Sequence, residues 1–381
     1  MTSPPRSTSG WRGWYDGVFD LTDHYPAAVR RDQQGDLDLR QALLSVSAGA
    51  LDMRLGRQQI VWGEAIGTFI TDVVNPKDFR EFVLPEFTEI RIPLWALDAT
   101  YTLGKDLVIE GVWTPDLRFN RLPESGAEFQ FFRPPLPPNV LLQGEQRPPL
   151  TLGHSQGGVR VSYLVSGWDF ALLYYDAFDP TPVFWRRQIG TLPNRPPLFT
   201  LTPEHPRLHM LGGTVGKSLE PVVIRAEILY TLGKVYNAAS QAAANGVVRS
   251  DTLDYLLSLD YTVFGKLDTT WQLTQKILTG AAEVSHRGAV QGRVSSALSL
   301  RLATGFFENT LNPSVLIAVN VNRGDYRISP RLDYLLTGAL TLTVGADIFA
   351  GPQQTLYGQF AHKDRAYVEV EYRFAPRHRG R

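Results

Sequence analysis

Apolar side chains recur at every second residue over stretches longer than most soluble strands. Leu340, Leu342, Val344, Ala346 and Ile348 share one parity, and Thr341, Thr343, Gly345 and Asp347 fill the other. Val368, Val370, Tyr372 and Phe374 repeat the pattern against Tyr367, Glu369, Glu371 and Arg373. So do Leu253, Tyr255, Leu257, Leu259, Tyr261 and Val263 against Asp254, Ser258, Asp260 and Thr262. A period of two marks a strand with one apolar face, where a helix would show 3.6. Many runs reach ten residues or more. Typical strands have about five or six, whereas a tilted strand crossing a bilayer needs about 9–11.

The alternation predicts strands at 12–22, 37–46, 50–61, 94–103, 106–115, 158–165, 168–177, 207–215, 221–235, 251–264, 267–278, 290–303, 313–322, 325–336, 338–350 and 366–374. That makes about 16, an even number, as single-chain outer-membrane barrels of bacteria require. Every second connection is short, as at Ser47-Ala48-Gly49, Gly104-Lys105, Ser166-Gly167, Gly265-Lys266 and Thr337-Gly338. The intervening ones at 62–93, 116–157 and 178–206 are long, and two of them hold the proline clusters Arg133–Pro138 and Arg195-Pro196-Pro197. Proline lacks the amide hydrogen a ladder needs. Short turns on one side and long loops on the other define the periplasmic and extracellular ends of such barrels. The expected fold is therefore all-β: a transmembrane antiparallel β-barrel of about 16 strands with an inward-folded loop. A soluble sandwich also alternates, but its strands are shorter. A short lead at 1–11, one barrel at 12–374 and a basic, disordered periplasmic tail at 375–381 complete the division, with one helical turn expected at Ala238–Asn245.

Composition removes several classes of function. The 38 basic and 38 acidic residues cancel, so no field favours nucleic acid. The absence of Cys excludes disulfides, Cys-ligated metal and Cys nucleophiles. Seven scattered His give no metal-ligand spacing, and no cofactor motif is present. Trp14, Trp95, Trp113, Trp168, Tyr174, Trp271, Tyr326 and Tyr372 lie near strand ends or on the apolar parity, where interfacial girdles form. Gly153-His154-Ser155-Gln156-Gly157 matches the Gly-x-Ser-x-Gly elbow of lipases. That elbow needs a helix after the Ser, whereas Val159, Val161, Tyr163 and Val165 announce a strand. His205 and Asp176 could be recruited as partners on paper, but no parallel βαβ pattern supports them. Arg323-Gly324-Asp325 reads as a charged turn between strands.

The segment from Leu55 to Trp95 is the most distinctive. It reads Leu-Gly-Arg-Gln-Gln-Ile-Val-Trp-Gly-Glu from Leu55, then Asp72-Val73-Val74-Asn75-Pro76-Lys77-Asp78-Phe79-Arg80-Glu81-Phe82, then Arg91-Ile92-Pro93-Leu94-Trp95. It resembles the porin-like outer-membrane proteins grouped as domain of unknown function 1302, over about Trp14 to Phe374. The resemblance implies an outer-membrane barrel of Gram-negative bacteria, often associated with exporters of the resistance–nodulation–division class. Its members carry a secretory leader, whose apolar core Met1–Arg6 does not show. Phe374 matches the terminal aromatic that the barrel-insertion machinery reads.

About 16 strands enclose more space than side chains alone fill, so a water-filled lumen is expected. Arg54, Asp98, Arg225, Glu227, Arg301, Arg331 and Asp347 fall on the lumen parity. Arg57 falls on the lipid parity unless Gly56 distorts the strand. The 62–93 connection mixes charge with aromatic rings, which points to an inward-folded constriction. Its candidate residues are Trp62, Glu64, Asp72, Lys77, Asp78, Arg80 and Arg91. The expected function is passive passage of small organic or hydrophobic solutes through an outer-membrane channel gated by this loop. A plugged partner barrel of a lipid- or hydrophobe-export system is the second reading, and an esterase using Ser155 the third. Expected partners are outer-membrane lipids, the solute, the insertion machinery and an exporter system. In whole cells, an impermeant thiol reagent should label Ser125→Cys in a long loop but not Lys266→Cys in a short turn. Equal labelling of both would invert or abolish this topology.

Overall fold

A computed structural model describes residues 6–65, 70–133, 135–191, 193, 196–240 and 243–374. The lead at 1–5, the basic tail at 375–381 and residues 66–69 of the long connection lie outside the described residues.

Sixteen strands form one large sheet in the order β1-β2-β3-β4-β5-β7-β8-β11-β12-β15-β16-β19-β20-β21-β22-β23. They are β1 (Arg6–Tyr15), β2 (Gly35–Ala48), β3 (Leu51–Gln58), β4 (Leu94–Leu103), β5 (Leu107–Thr114), β7 (Gln156–Val165), β8 (Trp168–Phe178) and β11 (Arg207–Leu219). They continue as β12 (Val222–Leu232), β15 (Thr252–Val263), β16 (Leu267–Leu278), β19 (Val294–Thr304), β20 (Leu311–Asn320), β21 (Asp325–Thr337), β22 (Leu340–Ala350) and β23 (Arg365–Tyr372). Sequence neighbours pair antiparallel, as in β4 with β5 and β21 with β22. The sheet order leaves β1 and β23 as edges among the described residues.

Each of the sixteen expected strands has a counterpart. The first is displaced: β1 occupies Arg6–Tyr15 rather than 12–22, and so takes in part of the expected lead. It stops because the Asp16 carboxylate accepts the Val18 amide at 2.9 Å, turning the chain into the short helix α1 (Val18–Leu21). A second helix, α2 (Ala27–Gln33), follows Pro26. Seven further short strands occupy the connections. β6 (Val140–Leu142), β10 (Leu198–Glu204) and β9 (Val183–Gly190) form one small sheet. β14 (Val247–Arg249), β13 (Val235–Ala238), β17 (Glu283–His286) and β18 (Ala289–Gly292) form another. The helical turn expected at Ala238–Asn245 is absent among the described residues there, which connect β13 to β14.

The tight turns follow from glycine. In Ser166-Gly167 both residues have positive φ, 50° and 74°, the geometry that matches the twist of flanking strands. Gly56 has φ 137° and sits so close to β2 that a Cβ there would lie 2.1 Å from the Ala42 carbonyl oxygen. The registers of β3 nevertheless continue through Gly56 without a shift, Arg57 pairing with Ala42 of β2 and Trp95 of β4. Arg57 is buried, donating to Asp38 Oδ1 at 2.7 Å and to the Leu39 carbonyl.

Packing divides the chain into two compact units. One comprises Met1–Lys217, Arg225–Tyr255 and Lys276–Val294; the other comprises Ser218–Ile224, Leu256–Gln275 and Ser295–Arg381. In the first, Leu55, Trp95, Trp113, Leu172 and Leu211 are exposed, while Leu173, Tyr175, Leu208 and Met210 on the opposite parity are buried. In the second, Val344, Ile348, Val368 and Val370 are exposed and Thr343, Asp347 and Phe349 are buried. An exposed apolar face on one parity of these strands is the face a bilayer would cover. Val344 is 47% exposed on that face. Val344→Arg should therefore cost about 2–4 kcal/mol at a bilayer midplane. It should lower insertion into liposomes, followed by the heat-dependent gel shift of folded barrels, while Thr341→Arg on the other parity should insert.

Candidate functional site

The connection between β3 and β4 is held by side chains far apart in sequence. Glu227 on β12 is 2% exposed and acts as its anchor. One carboxylate oxygen accepts the amides of Glu64 and Ala65, each at 2.7 Å. The other accepts the Thr71 amide at 3.1 Å and the Thr71 hydroxyl at 2.7 Å. Four donors on one ionised acceptor replace the water that burial removes. The Glu64 side chain reaches the strands in turn, accepting from Arg160 Nη2 at 3.1 Å and from the Thr214 hydroxyl at 2.8 Å. Trp62, 1% exposed, packs edge-on against Tyr175 of β8, ring centroids 5.6 Å apart.

Several of the remaining charges of the connection pair with one another. Asp72 Oδ2 receives Arg91 Nε at 2.7 Å and lies 3.4 Å from Lys77 Nζ. Lys77 also donates to the Asp72 carbonyl at 3.0 Å. Burial pushes the Lys77 ammonium below its ordinary value, with Asp72 opposing and Arg91 adding to the shift. Arg80 is buried and forks onto Asp78, with Nη2 to Oδ2 at 2.7 Å and Nε to Oδ1 at 3.0 Å. It also donates to the Asp32 carbonyl of α2 and lies 5.7 Å from the Trp14 ring centroid. Burial works to lower the Arg80 value, yet Asp78, Asp32 and Asp36 raise it on balance. Arg80 thus ties the connection to α2 and β1.

Asn75 was not singled out by sequence, yet it closes the connection. Its Oδ1 accepts the Ile60 amide at 2.7 Å and its Nδ2 donates to the Ile92 carbonyl at 2.8 Å, clipping the entering chain to the leaving one. An Asn before a Pro is a turn signal, and the Asn75-Pro76 pair was the available clue. Asn120 and Arg121 were also missed. The Asn120 side chain accepts the Lys77 amide at 2.6 Å, and Arg121 pairs with Asp36 at 2.9 Å and Asp32 at 3.2 Å. A second short helix, α3 (Phe87–Ile90), lies within the connection.

The expected lumen residues fall in both units. Arg54 and Asp98 face each other across β3 and β4 and form an ion pair, with Asp98 fully buried. Arg225 is half-buried two residues before Glu227 on β12. In the second unit Arg301 is exposed, Arg331 pairs with Asp333 at 2.9 Å, and Asp347 receives Arg327 at 2.7 Å and Arg365 at 2.8 Å.

Ser155 does not meet a base. Its hydroxyl donates to the Leu152 carbonyl at 2.8 Å, and β7 begins at the next residue. His205 contacts Glu145 at 2.7 Å and the Asp179 carbonyl at 2.6 Å, while Asp176 pairs with His209 at 2.8 Å. Among the described residues no three His, Asp or Glu side chains are grouped to hold a metal ion.

The family model "Protein of unknown function (DUF1302)" matches residues 8–374. The chain belongs to this family, and its strands form one sixteen-stranded antiparallel sheet. None of the curated proteins matches it. Among solved structures it is similar to OccK8 (OprE) of Pseudomonas aeruginosa, with 10% identity, TM-score 0.47 and coverage of 89% of this chain and 80% of that one. It is also similar to OccAB4 of Acinetobacter baumannii, with 9% identity, TM-score 0.45 and coverage of 89% and 75%. The outer membrane channel DcaP of Acinetobacter baumannii matches with 8% identity, TM-score 0.40 and coverage of 79% and 70%.

The anchor makes a direct test possible. Glu227→Ala leaves the amides of Glu64, Ala65 and Thr71 without their acceptor. Hydrogen bonds to a charged group contribute about 1.5–3 kcal/mol each. Amide exchange at those three positions should accelerate at least about tenfold, with strand amides of β8 and β12 unaffected.

Proposed function

We propose that this protein is a passive outer-membrane channel for small organic or hydrophobic solutes, and that the 62–93 connection controls passage. The observation that carries the reading is the Glu227 anchor. A long connection is drawn onto the inner parity of a wall strand by a buried carboxylate, and its Trp62, Phe79 and Phe82 are buried instead of projecting into water. Constrictions of this kind set both the width and the charge that a solute meets. Trp62, Glu64, Asp72, Lys77, Asp78, Arg80 and Arg91 act through this element, most of them by shaping it.

One observation favours the second reading, a plugged barrel that serves an export system. The ion pairs Asp72–Arg91, Asp72–Lys77 and Asp78–Arg80 are internal to the connection, which suits a fixed plug as well as a gate. Lipids, the insertion machinery and an exporter remain its proposed partners, and no enzymatic role is proposed for Ser155.

Purified protein in planar bilayers should give discrete conductance steps, and Glu227→Ala should raise the step size or its variability by freeing the connection. A silent wild type with a conducting Glu227→Ala would favour the plug. Silence in both, with the barrel folded, would remove the channel reading.

A further inference from the structure

Arg57 stands where a membrane-facing side chain belongs. In the ladders it lies directly between Ala42 of β2 and Trp95 of β4, and Trp95 is exposed on the apolar face. Residues directly opposite one another share a face of the sheet, with Cβ atoms about 4.5–5.5 Å apart. Arg57 is nevertheless 4% exposed, because its guanidinium turns away to Asp38 and the Leu39 carbonyl. An arginine left facing hydrocarbon on a barrel wall is unfavourable, which accounts for the withdrawal. The row Ala42–Arg57–Trp95 therefore presents a methyl group, a side chain absent from the surface, and an indole.

The neighbouring row keeps its bulk. Leu44, Leu55, Leu97 and Trp113 stand side by side in register, and Leu44, Leu55 and Trp113 are exposed. The step from one row to the next leaves a groove of about 590 Å³ on the outer face. Small-molecule sites span roughly 300–1,000 Å³. Trp95, Trp113 and Pro115 line the groove toward the long connections, and Ser7 and Thr8 of β1 line its other side. All of these residues belong to the first compact unit.

Position and lining choose among occupants. The groove is continuous with the apolar face that a bilayer would cover, and hydrocarbon is what meets that face. Ser7 and Thr8 are its only polar side chains, so it offers little to a charged ligand. A stable subunit interface engages about 20–30 residues a side, whereas twelve line this groove.

We infer that the groove on the outer face of β2–β5 binds one acyl chain of a membrane lipid, which fills the surface that Arg57 vacates between the leucine row and Trp95. The two indoles lie near strand ends, at the level where amphipathic rings meet lipid headgroups. The inference does not depend on conduction, and a plugged barrel would hold the lipid equally well.

Phosphatidylcholine with brominated oleoyl chains is the probe, since bromine quenches indole emission at close range. Protein reconstituted in vesicles of this lipid and re-extracted in dodecyl maltoside should retain one lipid by native mass spectrometry. Its Trp emission should be lower than that of protein taken from unbrominated vesicles, and Trp95→Phe with Trp113→Phe should remove most of the difference. Ala42→Phe fills the groove from the exposed face. It should lower the lipid-bound fraction about tenfold, the equivalent of roughly two buried methylenes. Leu172→Phe, exposed on β8 away from the groove, should leave retention unchanged. Should Ala42→Phe fail to fold, Leu55→Ala removes one wall of the groove and carries the comparison. No retained lipid, quenching unmoved by the loss of both indoles, or full retention in folded Ala42→Phe would overturn the inference. A wild-type dimer that Ala42→Phe separates would overturn it in favour of a subunit contact.

Discussion

Backbone hydrogen bonding against an apolar surrounding is the constraint on which this architecture depends. Lipid offers no partner to an amide or carbonyl, so a chain exposing apolar side chains on one strand face must satisfy its backbone within the sheet. The antiparallel ladder meets that demand from β1 to β23, each strand pairing with the next of the sheet. Apolar residues can then sit on the outer parity without cost, which is why Leu55, Trp95 and Leu172 stand exposed. In water the same face would be an aggregation hazard.

The inner parity works under the opposite rule. Where nothing covers it, polar and charged residues meet solvent, as Arg301 does. Where the 62–93 connection covers it, the residues are apolar or matched in charge. Tyr175 receives Trp62, while Glu227 receives the amides of Glu64, Ala65 and Thr71 and the Thr71 hydroxyl. A buried carboxylate without those donors would be strongly unfavourable. Wall and connection are therefore interdependent: Glu227 needs the amides as much as they need it.

The strands were legible because each repeats a simple period, many of them over ten or more residues, and the glycines at 49, 104, 167 and 265 punctuate them. The first strand was misplaced because Tyr15, Phe19 and Leu21 against Asp16, Asp20 and Thr22 continue an alternation that the Asp16 side chain interrupts. The small sheets were not legible. Strands of three or four residues, such as Val140–Leu142 and Val247–Arg249, carry too few positions for a period to register, and they form only because partners from distant loops supply hydrogen bonds. At the site, sequence reasoning located the segment and its charged residues but not their pairing. Arg80 is bound to Asp78 and α2, and Arg91 to Asp72. Pairing across loops depends on tertiary approach, which no local spacing encodes.

That pairing has a consequence for selectivity. A charge neutralised by a partner less than 3 Å away presents little net field at the distance of a passing solute. Asp78 with Arg80 and Asp72 with Arg91 are such pairs, at 2.7 Å each, and Lys234 with Asp179 at 2.6 Å is another. If the connection constricts a channel, as proposed above, its bulk would matter more than its charge, and a sign preference would have to come from charges that no partner offsets.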